Sequence, residues 1–126
     1  MTITRIEAKD SYLFVTGGGP FDPSKAIDLL KVVVDASSKH KRSKLLIDFT
    51  NVEGEISILV LHEMGVKTAQ TAAGVSHLAL VDRPERILPD RFWQNVTRNN
   101  GLNARVFGDF TEAEKWLQSC ASGTAS

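Results

Sequence analysis

Cysteine is nearly missing from this chain. One residue in 126, Cys120, cannot close an internal disulfide, which fits a reducing compartment. No basic residue stands beside it, so nothing local would turn it into a reactive thiolate. Net charge is missing as well: 15 Lys and Arg balance 15 Asp and Glu, and neither half of the chain collects the basic residues. Nucleic acid and anionic membrane surfaces therefore meet no attractive field from the domain as a whole. Long apolar runs are lacking too, since no segment approaches the ~18 continuous apolar residues of a membrane span. The start, MTITRIEAKD, lacks the basic residues and apolar stretch of a secretory signal. A cytoplasmic location is the simplest expectation.

The chain is equally short of motifs that carry chemistry. Gly17-Gly18-Gly19-Pro20 is followed by no Lys-Ser/Thr pair and does not make GxGxxG, so it is expected to be a flexible connection rather than a phosphate cradle. His40, His62 and His77 are not spaced as a metal pair, and His62-Glu63 lacks the second histidine of HExxH because position 66 is valine. G-x-S-x-G does not occur. No cofactor or metal and no enzymatic activity are expected. The basic cluster Lys39-His40-Lys41-Arg42 with Lys44 reads as a solvated turn that complements a helix C-terminus.

What the chain does have is pattern. With 42% hydrophobic residues it can bury one core, and a single domain is expected over 1–118 with a loose tail at 119–126. Ile3–Ala8 and Tyr12–Thr16 alternate around the polar turn Lys9-Asp10-Ser11, which predicts a β-hairpin. Asp22-Pro23 starts a helix whose apolar residues Ala26, Ile27, Leu30, Val33 and Val34 share a face, fading at Ser37-Ser38. The consecutive apolar residues Leu45-Leu46-Ile47 in Lys44–Phe49 suit a strand covered on both faces. A turn at Thr50–Gly54 should lead into a helix over Ile56–Ala73, with Ile56, Leu59, Val60 and Met64 inward and Gly74 as C-cap. His77–Val81 reads as a strand, and Pro89-Asp90 starts a helix carrying Phe92, Trp93 and Val96 until Asn100-Gly101 stops it. Asn103–Phe107 follows as a strand. Thr111 with Glu114 then matches a capping box for the last helix. The order ββαβαβαβα predicts an α/β domain: a mixed, mostly parallel five-stranded sheet with about four helices, its first strand antiparallel at an edge.

The segments LLIDFTNVEGEIS with LHEMG, and RFWQNVTRNNGLNARVFGDFTEAEKWL, resemble the STAS fold of bacterial anti-sigma factor antagonists, and more closely a SpoIIAA-like (STAS/SEC14-like) group of small bacterial proteins. That resemblance implies a non-enzymatic regulatory module that meets a protein partner. It also implies that a serine at the start of the second helix is phosphorylated within an Asp-Ser-Ser-Gly motif. Here Glu55-Ile56-Ser57-Ile58 occupies that place, so Ser57 is the candidate phospho-acceptor, although the Asp and Gly are missing. Glu53 and Glu55 would oppose a phosphate there, while free helix amides would favour it. The residue-level reading of Ser57 is a helix cap.

Asp48, Thr50, Asn51, Glu53, Glu55, Asp82 and Arg83 fall at the carboxyl ends of predicted strands, together with Phe107–Phe110, and form the candidate partner or ligand edge. Asp48 invites comparison with a phospho-accepting aspartate, but the first strands supply no acidic pair for magnesium, so a hydrogen bond to the following loop is expected. Phe92 and Trp93 are either core or, where exposed, anchors for self-association as a homodimer. The apolar excess at Ile56, Ile58, Leu59, Val60 and Leu61 exceeds one inward stripe. It suits a dimer interface or, as in the SEC14-like relatives of the fold, a pocket for a small apolar ligand or lipid.

Overall fold

The computed structural model describes residues 1–88 and 91–120. Five strands form one sheet in the sequential order β1-β2-β3-β4-β5. They are β1 (Thr2–Ala8), β2 (Leu13–Pro20), β3 (Lys44–Glu53), β4 (His77–Val81) and β5 (Ala104–Phe107). The first pair is antiparallel, and each later pair is parallel. Four α-helices intervene or follow: α1 (Pro23–Lys39), α2 (Ile58–Thr71), α3 (Phe92–Asn99) and α4 (Phe110–Ser119). A single 3-10 turn, Pro84–Arg86, follows β4. The α/β class, the element order and the antiparallel edge strand are as the sequence predicts. Among the described residues no helix is long and apolar enough to cross a membrane.

Sheet order decides where the helices go. Successive parallel strands are always added on the same side, and crossovers keep one hand, so α1, α2 and α3 must all land on the same face. Their residues Leu30, Val33 and Ala69 pack with Leu13, Val15, Leu45, Leu78 and Ala104, which share that face of the sheet. The alternate residues Tyr12, Phe14, Leu46, Ala79 and Val81 meet Ala113 and Leu117 of α4 on the other. Leu45 and Leu46 are thus both fully buried because both faces are covered. Lys44 is buried beside them, and its Nζ donates to the carbonyls of Leu117 and Cys120, which satisfies the free end of α4.

Several boundaries differ from the sequence reading. The glycines do not break β2. The strand runs on through Gly17–Pro20 past an irregularity between Thr16 and Gly18, and pairs with Asn51–Glu53 of β3. Strand β3 therefore continues through Thr50–Glu53, where a turn was expected, and the chain reverses at Gly54 with φ +104°. Helix α1 extends to Lys39, because the Ser37 hydroxyl bonds back to the Val34 carbonyl instead of ending the helix. Ala72, not Gly74, caps α2. No capping box forms on α4. Asp109 is its N-cap, while Glu114 accepts a hydrogen bond from the Tyr12 hydroxyl across the core. Helix α3 begins at Phe92 after Arg91, which adopts a left-handed φ of 53°; the expected Pro89-Asp90 start lies outside the described residues. Ser119, expected in the tail, ends α4, and 121–126 lie outside the described residues.

Candidate functional site

The carboxyl ends of β3 and β4 are joined by side chains rather than by a ladder. Pairing between these strands stops at Asp48–Val81, yet β3 continues, leaving carbonyls on that side without a partner strand. Arginines take the place of the missing strand. Arg83 Nε donates to the Thr50 carbonyl at 2.8 Å, and Arg86 donates to the carbonyls of Phe49 and Val52. Asp82 holds Arg86 in place: its Oδ1 accepts from Arg86 Nε at 2.9 Å and lies 2.6 Å from the second guanidinium nitrogen. The two side chains are only 12% and 17% exposed. Burial pushes the Asp82 carboxyl above its ordinary value, outweighing the bonds from the Arg83 amide and Arg86 that favour its charge. Arg86 also lies over the Phe49 ring, 5.9 Å from its centroid.

Of the predicted edge residues, the structure brings Asp48, Thr50, Asp82 and Arg83 together. Asp48 Oδ1 accepts from the Thr50 amide at 3.0 Å and its hydroxyl at 2.7 Å, the local bond expected for it. Asn51 and Glu53 face the other neighbour, pairing with Gly18 and Pro20, and Glu55 is exposed in the loop beyond. Arg86, the hub of the cluster, escaped the sequence reading. Its signal was available in the Asp82–Arg86 spacing of four residues, which brings the pair together around one turn.

Ser57 is the N-cap of α2, its exposed Oγ accepting from the Val60 amide at 3.3 Å. The first turn of that helix departs from expectation. Leu59, predicted inward, is 83% exposed, and Ile58 is 60% exposed. The helix begins two residues later than predicted; Met64 faces the sheet side as expected, with Leu61 and Thr68 rather than Leu59 completing the inner stripe. The apolar excess of this segment is thus split between two sides of one helix.

The inner side faces a cavity of about 150 Å³ between the sheet and α1, α2 and α3. Leu30, Met64, Leu80 and Trp93 are among its apolar walls, and among the described residues Thr2, Thr68, Asp82, Arg86, Arg91 and the terminal Met1 bring polar groups to its lining. Ile56, Leu61, Ile87, Arg91 and Phe92 line it while remaining partly or fully exposed, so it meets solvent between the starts of α2 and α3. Phe92 and Trp93, candidate anchors in the sequence, are half-buried and turned to this space. Gly65 sets the crossing of α2 on α3: a Cβ there would lie 2.7 Å from Val96 Cγ1.

No protein-family model matches the sequence, and no curated protein matches it. Among solved structures, the chain is similar to the crystal structure of an anti-sigma factor antagonist from Mycobacterium paratuberculosis. The TM-score is 0.61 at 18% identity, covering 94% of this chain and 96% of that one. The likeness is one of fold, and it bears out the STAS-type architecture expected from the sequence.

Proposed function

We propose that the chain is a non-enzymatic regulatory module of the bacterial cytoplasm that docks an anti-sigma factor through the first turn of α2. The exposure of Ile58 and Leu59 beside the Ser57 cap carries this reading, since large apolar side chains in open solvent suit a partner surface. The fold shared with an anti-sigma factor antagonist supports the class of partner. Isothermal titration against purified anti-sigma factors from the cell that makes the protein tests it. Leu59→Asp should weaken binding at least tenfold, as loss of a central apolar anchor does, while leaving the melting temperature nearly unchanged because Leu59 is 83% exposed. Equal binding by the variant, or no binding by the parent protein, overturns the proposal.

A second reading, a carrier of a small apolar ligand, is supported by the cavity under α1, α2 and α3. Native mass spectrometry of gently purified protein should then show a monomer with a small bound mass. A ligand-free dimer counts against it.

A further inference from the structure

The cavity is apolar in its walls but not neutral at its opening. Asp82 and Arg86 satisfy each other, so that pair contributes no net charge. Arg91 is different. It lines the cavity, is exposed, and donates to the Val106 carbonyl, but among the described residues it makes no ion pair with a carboxylate. Among the described side chains that line the cavity, Arg91 is thus the cation without a carboxylate partner, at the place where the cavity meets solvent.

Volume limits the occupant. A cavity of about 150 Å³ with apolar walls has room for a group of benzene size. Drug-sized ligands need pockets of ~300 Å³ or more, so a two-chain lipid does not fit this space. We propose that the cavity binds a small organic acid, its body an aromatic ring or a short chain of about six carbons, with its carboxylate on the Arg91 guanidinium. This rests on the carrier reading and narrows it: the ligand is a carboxylate and not a lipid. Arginine suits the task because its planar fork presents parallel donors to a carboxylate and stays charged at any working pH.

The two tryptophans allow a direct test. Trp93 lines the cavity, whereas Trp116 lies on the opposite face of the sheet against Phe107 and His77. In Trp116→Phe protein the emission therefore reports on Trp93 alone. Hexanoate and 3-phenylpropionate are titrated against it, with hexanol and hexylamine as matched neutral and cationic probes. Saturable binding of the acids, about tenfold tighter than hexanol, is expected from one charge-assisted contact. Arg91→Gln, which keeps a donor for the Val106 carbonyl, should bring the acids down to the hexanol level without moving hexanol, and Arg91→Lys should recover part of the difference. Ala26→Leu, which fills the cavity from α1, should abolish binding of every probe. Circular dichroism confirms that each variant is folded. Acids that bind no better than hexanol, or are indifferent to Arg91→Gln, overturn the carboxylate site while leaving the carrier reading intact. Absence of saturable binding by any probe overturns both.

Discussion

Replacing Gly65 by alanine sets two effects of opposite sign against each other. In an exposed helix the change would stabilise by ~1 kcal/mol, because glycine is the poorer helix former. In α2 the new Cβ would lie 2.7 Å from Val96 Cγ1, 2.9 Å from Val96 Cβ and 3.3 Å from Thr97 Oγ1. Carbon atoms prefer ~3.5–4.0 Å, and since Val96 Cβ cannot move by a rotamer change, α3 must retreat by several tenths of an ångström. Overpacking of this kind costs ~1–3 kcal/mol, and Val96 and Thr97 are buried with little room to yield. The expected net loss is up to about 2 kcal/mol, which lowers the melting temperature by up to roughly 8 °C in a domain of this size. A double-mutant cycle with Val96→Ala identifies the cause. That change removes the 2.7 Å contact but keeps the Cβ at 2.9 Å, so the coupling should be favourable yet incomplete, about 1 kcal/mol. Thermal melts of the four proteins decide the matter. A higher melting temperature for Gly65→Ala, or zero coupling, would show that the glycine does not set the α2–α3 crossing.

Two further outcomes are expected. Ser57→Ala removes the cap on α2 and should cost ~1 kcal/mol, whereas Ser57→Asp keeps an acceptor at the same place and should melt close to the parent protein; equal melting of all three would show that the Val60 amide does not need the hydroxyl. Asp82 has a folded-state value raised above 3.8 by burial, so the folded protein holds this proton more tightly than the unfolded chain. Its contribution is most favourable below that ordinary value and erodes as pH rises through the raised one. The stability advantage of the parent protein over Asp82→Asn should therefore shrink from pH 4 to pH 7 in urea melts, and an advantage that grows with pH would show that the Arg86 charge outweighs burial.

The order of elements could be read from the sequence because each rests on a local signal: the Asp22-Pro23 cap, the doubled leucines of β3, the Asn100-Gly101 stop. The errors share a different origin. Gly17–Pro20 and Thr50–Glu53 both look like loops by composition, yet each supplies the other with a strand partner. Neither half of that pairing carries a sign of the other, so tertiary pairing overrides local preference. Periodicity alone points Leu59 inward, but it fixes the spacing of a stripe and not which side a neighbour covers, and Leu59 is exposed. At the site, Asp48 and Thr50 formed the bond their proximity suggests. Arg91 carries no local signal, since its bond to the Val106 carbonyl depends on α3 meeting the sheet.

The sheet order also explains why space opens beneath the helices rather than at the strand ends. In doubly wound sheets the crevice lies where strand order reverses. Here β2 to β5 run in sequence with no reversal, so no such crevice is built, and Arg83 and Arg86 close the strand ends with hydrogen bonds. The same constancy puts α1, α2 and α3 side by side on one face, and the cavity lies between them and the strands. Helix α2 is then apolar on two sides for two reasons: Leu61 and Met64 wall the cavity, and Ile58 and Leu59 face solvent. The surplus of apolar residues is thus divided between the cavity wall and the solvent-facing first turn of one helix.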